Sequence, residues 1–191
     1  RIYGEIEDFS ALATLYGAAL VAEVSPTERF ELRAKMAQVQ EMSGDLAAAG
    51  RTYRDILEAE PNHRYALSGL RRVEAGLEDW AALDEVLGQL VTLATTDAER
   101  STLLVERARL QLEHLGGAED ALKLVDDSSE RADGALVESA VSLLEAFLDR
   151  PEANVDAAQR LIPHYRDQKL WEALVRTLSI ARTAEGISPS D

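Results

Sequence analysis

The amino-acid sequence predicts an all-α chain of stacked antiparallel helix pairs, and three observations carry the prediction. The apolar share is 46%, yet aromatics make up only 5%; most of it is Ala and Leu, which lose little side-chain freedom in a helix. Apolar residues also recur at threes and fours, as in Leu32, Met36 and Val39 and then Leu46, Tyr53, Ile56 and Leu57, which is helical rather than strand spacing. Finally, the chain echoes itself. Asp8-Phe9-Ser10-Ala11-Leu12 returns as Asp79-Trp80-Ala81-Ala82-Leu83, and Ser25-Pro26-Thr27-Glu28-Arg29 returns as Thr96-Asp97-Ala98-Glu99-Arg100, both about 71 residues later.

The second echo fixes two helix starts. Each copy reads Ser/Thr-x-x-Glu, a capping box in which hydroxyl and carboxylate satisfy N–H groups that have no partner within the helix. A third echo sets Gly44-Asp45-Leu46 against Gly116-Gly117-Ala118, followed by Ala49 and Ala121 respectively. Breaks are expected at Gly44, Pro61, Gly76, Gly116 and Pro151, with Asn62, Asp79 and Asp133 as N-caps. About ten helices result, over roughly 5–24, 27–43, 45–59, 62–76, 79–95, 97–115, 117–130, 133–149, 152–168 and 170–185. Trp80 and Trp171 are further apart than the first echo predicts, and the helix near 134–149 accounts for the added length.

Composition narrows the possible partners. With 35 acidic and 20 basic residues the net charge is −15, a field that repels nucleic-acid phosphates and anionic lipid surfaces. No apolar run approaches the ~20 residues of a membrane span. The absence of cysteine rules out disulfides and thiolate metal sites and fits any compartment. The chain starts at Arg1, so a piece of a longer protein is expected and an upstream signal or anchor would go unseen; the cytoplasm is favoured on no stronger ground.

Chemistry-bearing motifs are sparse. His63, His114 and His164 are isolated. Glu60-Pro61-Asn62-His63 has Glu-x-x-His spacing, but a proline and a cap place it in a turn, whereas that metal chemistry projects both ligands from one helix. Gly116-Gly117 reads as a helix C-cap and not a phosphate loop, since no strand precedes it and no Lys-Ser/Thr follows. Asp126 to Glu130 lacks the glycine and alternating oxygens of a calcium loop. Phe9, Trp80 and Trp171 are expected to seal seams between neighbouring helix pairs, and Pro163 to kink or end its helix. No metal, cofactor or catalytic residue is expected.

From Phe30 to Pro61 the chain resembles a tetratricopeptide repeat. Met36 and Ala37 stand at the packing positions of the first helix, Gly44 at the turn, Ala49, Tyr53 and Ile56 at the signature positions of the second, and Pro61 at the terminal proline. Further units are degenerate: Glu74 stands where an aromatic would be expected and Thr95 where a proline would. The segment Ala157 to Tyr165 followed by Leu170 to Leu174 resembles long helical-repeat proteins of bacteria. The resemblance implies a right-handed α-solenoid over 1–191 as one domain, with repeats at 30–61, about 64–95, 101–131 and 133–168 and a final helix at 170–185.

It further implies a concave groove lined by the first helix of each pair and filled by a protein or peptide partner. Carried across position by position, the groove takes Glu31, Ala34, Gln38 and Glu41 from the first clear unit, Tyr65, Ser68, Arg72 and Ala75 from the next, and, to within one residue of frame, Thr102, Val105, Arg109 and Leu112 from the third; Glu31, Gln38, Tyr65, Ser68, Arg72, Val105 and Arg109 are the candidate contacts. Arg72 and Arg109 fall at equivalent positions, where guanidinium groups could grip carboxylates on a peptide or simply pair with neighbouring Glu side chains. The expected function is therefore a non-catalytic interaction scaffold. The alternatives are a structural or self-associating segment of a larger repeat protein and, more remotely, an enzyme on this scaffold.

Overall fold

The computed structural model describes residues 9–22, 25–129, 134–150 and 154–184. Among them every regular element is helical: α1 (Phe9–Leu20), α2 (Pro26–Met42), α3 (Leu46–Ala59), α4 (Arg64–Leu77), α5 (Trp80–Leu93), α6 (Asp97–Leu110), α7 (Ala118–Ser129), α8 (Gly134–Phe147), α9 (Asn154–Asp167) and α10 (Trp171–Ala184). The fold class is an all-α helical-repeat solenoid. Contacts gather into two compact units, 1–93 holding α1 to α5 and 94–191 holding α6 to α10.

The helix starts follow the sequence closely. At α2 the capping box is complete: Ser25 Oγ accepts from Glu28 N–H at 3.2 Å and Glu28 Oε2 accepts from Ser25 N–H at 2.9 Å. The Ser25 N–H, and after it the Ser25 hydroxyl, hold the Glu28 carboxyl below its ordinary range. At α6 Thr96 caps Glu99 N–H at 3.1 Å, but the Glu99 carboxylate reaches past it to Thr95 N–H. Asp79 caps Ala82 as expected. Asn62 does not cap α4; the next residue does, through His63 Nδ1 accepting from Ala66 N–H at 3.4 Å. Asp133 and Pro151 lie outside the described residues.

One turn recurs four times and defines the helix pairs. Gly44, Glu78, Gly116 and Lys169 each adopt a left-handed backbone, with φ of 81°, 57°, 70° and 58°, and each stands two residues before the next helix. The residue after it folds back onto the closing helix: Asp45 N–H to Gln40 C=O, Asp79 to Glu74 and Leu170 to Tyr165, each at 2.9 to 3.0 Å. These are the long bonds of a Schellman cap. At the fourth site the bond runs from Gly117 to Gln111 at 3.1 Å, one residue longer, because α6 ends in a π-helical turn over Gln111–Leu115. The pairs are thus α2/α3, α4/α5, α6/α7 and α9/α10, with α8 as the extra helix expected from the spacing. Gly76, expected to break α4, lies inside it; the left-handed role falls to Glu78.

Gly76 has a different reason to be glycine, since a Cβ there would lie 2.7 Å from Leu46 Cδ1. A stronger case is Gly69, where a Cβ would overlap the Tyr53 ring. Tyr53, Ala37, Ala49, Ala66, Leu67, Val73 and Leu87 are fully enclosed in the first unit; small residues let the helices cross closely and the Tyr53 ring fills the space they leave. In the second unit Val105, Ala108, Val125, Phe147, Leu161 and Tyr165 belong to one apolar cluster. Helix α9 runs straight through Pro163 to Asp167, so the proline does not end it. Trp171 does not seal a seam: it is 60% exposed, in line with Val175 and Leu178, on a helix that packs mainly against α9.

Gly69→Ala is expected to lower unfolding free energy by about 3 kcal/mol, since the Tyr53 ring has no room to yield. Glu78→Gly and Lys169→Gly relieve left-handed strain and should each gain about 0.5–1 kcal/mol. Urea unfolding of the three variants beside the parent checks both signs.

Candidate functional site

The first helices of the two clear pairs, α2 and α4, form a common face. Tyr65, Ser68 and Arg72 recur at threes and fours and project from one side of α4. The facing side of α2 carries Gln38 and Glu41, with Glu31 exposed two turns earlier. The face is cross-braced at one end. Arg72 donates through Nε to Glu41 Oε2 at 3.1 Å and through Nη2 to Glu41 Oε1 at 3.0 Å, a two-pronged pair between helices 31 residues apart in sequence.

The same carboxylate is held from beneath. The Tyr53 hydroxyl, rising from α3, donates to Glu41 Oε1 at 2.5 Å. Glu41 thereby ties three helices, and the Tyr53 phenol is pushed well above its ordinary range, first by burial and then by its bond to a carboxylate that resists a second negative charge beside it. The bond to Glu41 likewise raises the Arg72 guanidinium. The second unit repeats the tyrosine–glutamate bond. Tyr165 on α9 donates to Glu145 on α8 at 2.5 Å, and the Tyr165 phenol is raised by the same causes. Arg176 on α10 pairs with Asp149 at 3.3 Å.

An aromatic group stands at the other end, where α2 and α4 begin. The Tyr65 ring meets Tyr53 edge-on at 6.2 Å between centroids and His63 at 6.5 Å, while His63 lies against Phe30 at 4.4 Å. Tyr65 is nonetheless 43% exposed. A rigidly backed, half-open phenol is what a recognition surface uses to gain contact area at small entropic cost.

The groove residues expected from sequence therefore divide. Glu31, Gln38, Tyr65 and Arg72 are exposed and Ser68 is half-buried. Arg72 takes the second of its two expected roles, since it is paired with Glu41 and does not stand ready for a partner's carboxylate. Val105 and Leu112 are corrections: both are buried and belong to the core of their unit. The repeat frame is displaced on α6, where Thr102 and Arg109 are exposed seven residues apart and Val105 points inward. Glu41 was placed in the groove by the repeat match, but not as its brace; an acid near a helix C-terminus, where the helix field disfavours it, was the available signal.

Other motifs are used structurally. Asp126, from the acidic run, is clamped by Arg160 through two bonds of 2.7 Å. His63 spends its Nδ1 on a helix cap. Among the described residues no group of three or more His, Cys, Asp or Glu side chains is placed to hold a metal, and no described helix is long and apolar enough to cross a membrane.

No family model matches the chain, and no curated protein matches it. Solved structures do. A chain in the structure of Naa15/Naa10 bound to HypK-THB aligns over 99% of this chain with TM-score 0.62 and 22% identity. A tetratricopeptide repeat protein from Parabacteroides merdae ATCC 43184 aligns over 97%, with TM-score 0.54 and 13% identity, and 76% of that protein is covered. The chain spans only 28% of the length of the first of these.

Because a phenol ionises less readily in the folded chain than in the unfolded one, folding loses stability as pH rises through the ordinary tyrosine range near ~10. Ultraviolet titration should show the Tyr53 and Tyr165 phenols ionising together with alkaline unfolding. Tyr53→Phe should cost about 1 kcal/mol at neutral pH and lessen that alkaline loss. Helix pairs joined by left-handed turns, close crossings at Ala and Gly, and this likeness to solved repeat proteins together make the chain a tetratricopeptide-like helical repeat in fold.

Proposed function

We propose that the chain is a non-catalytic interaction scaffold that binds a peptide or protein segment on the face of its first helices, centred in the first unit on Gln38, Tyr65 and Ser68, with Glu31 and Arg72 at the margins. The observation that carries the reading is that this face is open and polar while its backing is rigid. Tyr65 is supported edge-on by Tyr53, and Glu41 and Arg72 hold α2 and α4 together. A ligand binding there pays little to order the surface.

Engagement of Arg72 by Glu41 changes the expected ligand. A face whose guanidinium is already neutralised favours hydrogen-bonding and aromatic contacts over an acidic anchor. Arg109 on α6 is exposed and is the groove residue proposed for the second unit. The structure of Naa15/Naa10 bound to HypK-THB involves a chain of like fold in a protein assembly, which is the kind of role proposed. A structural segment whose groove is filled by its own neighbouring repeats would cover this face, and among the described residues Tyr65, Gln38 and Glu31 are exposed; a self-associating segment would seat a second copy on it.

Selection of peptides from a displayed random library on the whole chain, followed by titration calorimetry, tests the reading. Tyr65→Ala and Gln38→Ala should each weaken the selected peptides at least tenfold, with unchanged circular dichroism. Selected peptides that bind both variants as tightly as the parent would overturn the assignment of this face.

A further inference from the structure

The opposite side of α4 carries a feature that the first-helix face does not use. Glu74 points between α3 and α5 with its side chain 1% exposed. One carboxylate oxygen, Oε1, pairs with Arg54 of α3. The other, Oε2, is buried without a hydrogen-bond partner. A buried carboxylate oxygen left unpaired is costly, and burial accordingly pushes the Glu74 carboxyl up, with Arg54 opposing and Asp79 adding to the effect.

The carboxylate lies at a cleft of 260 Å³ between the second helices of two successive pairs. Leu57, Pro61 and Val86 give the cleft apolar walls, and Glu85 and Gln89 from α5 add polar groups to its lining. Of the charged side chains lining it, two are acidic, Glu74 and Glu85, and one is basic, Arg54. Arg54 is also the movable member of its pair, since its side chain is 49% exposed against 1% for Glu74.

We propose that this cleft between α3 and α5 is a docking site for a single basic side chain, lysine or arginine, presented by a partner protein. The aliphatic stem lies along Leu57, Pro61 and Val86, as long cationic side chains do on apolar surface. Arg54 swings toward solvent, and the incoming cation takes the Glu74 carboxylate together with Glu85. Charge closes with the ligand in place: two acids against Arg54 leave one negative charge, which the incoming cation cancels. The net charge of −15 over the chain steers a basic partner toward it. Arg54 is then a placeholder that keeps the buried acid paired until the partner arrives. This site is independent of the first-helix face, because Leu70 and Glu74 lie on the side of α4 opposite Tyr65, Ser68 and Arg72.

The test is a titration of the isotope-labelled whole chain with the capped tripeptide acetyl-Ala-Arg-Ala-amide, followed by heteronuclear NMR, with acetyl-Ala-Gln-Ala-amide as control. Shifts confined to residues around Leu57, Glu74, Val86 and Gln89, seen with the arginine peptide alone, are expected. Glu74→Gln, which preserves shape, should weaken binding at least tenfold, and Glu85→Gln, at an exposed position, several-fold. Arg54→Ala should tighten it several-fold by removing the competitor; should that variant not fold, Arg54→Gln serves the same purpose. Shifts scattered over the acidic surface, equal binding by the parent and Glu74→Gln, or no binding by either the parent or the Arg54 variant would overturn the proposal.

Discussion

The first unit depends on how one buried phenol is accommodated. Tyr53 has its ring fully enclosed, and a ring of that size between closely crossing helices needs a neighbour with no side chain, which Gly69 supplies. Enclosure then obliges the hydroxyl to find a partner, and it finds Glu41 on the preceding helix. Glu41 in turn draws in Arg72 from the following helix. Packing and polarity thus specify the same arrangement: the ring sets the spacing of α3 and α4, and the hydroxyl sets which part of α2 lies above it.

That chain of dependence links the core to the surface. The face bearing Gln38, Tyr65 and Ser68 is held by a network whose origin lies beneath it: the Glu41–Arg72 pair, which as a surface ion pair would contribute little by itself, is anchored by the buried Tyr53 phenol. The Tyr–Glu bond between neighbouring helices recurs as Tyr165 to Glu145, while the arginine of the next helix, Arg176, pairs there with Asp149. The two instances are built on different helices, and Tyr165 sits near the end of its helix whereas Tyr53 sits mid-helix. The device therefore follows from burying a phenol between helices and not from simple copying of a sequence phrase.

Glu74 is the counterpoint. It stands where the repeat pattern expects an aromatic ring, and the structure keeps it buried with one oxygen paired and one not. A carboxylate there has an energetic cost, and the cleft beside it, with a displaceable arginine at its edge, gives that cost a use.

Local chemistry made much of this legible from sequence. Helix starts at Ser25, Thr96 and Asp79, the turn glycines Gly44 and Gly116 and the close crossings at Ala37 and Ala49 depend on a few neighbouring atoms, so the sequence by itself determined the helical-repeat class and, among the described residues, the ten helices and most of their bounds. What it could not determine were relations set by packing across helices. Whether Val105 faced inward turned on the rotation of α6, to which a one-residue shift of frame is invisible in a degenerate repeat. Arg72 found Glu41, and Gly69 proved indispensable to Tyr53, only once helices distant in sequence had been brought together. The left-handed turns at Glu78 and Lys169 were hidden because neither is glycine; there the geometry of the helix pair imposed a backbone that the residue alone would not choose.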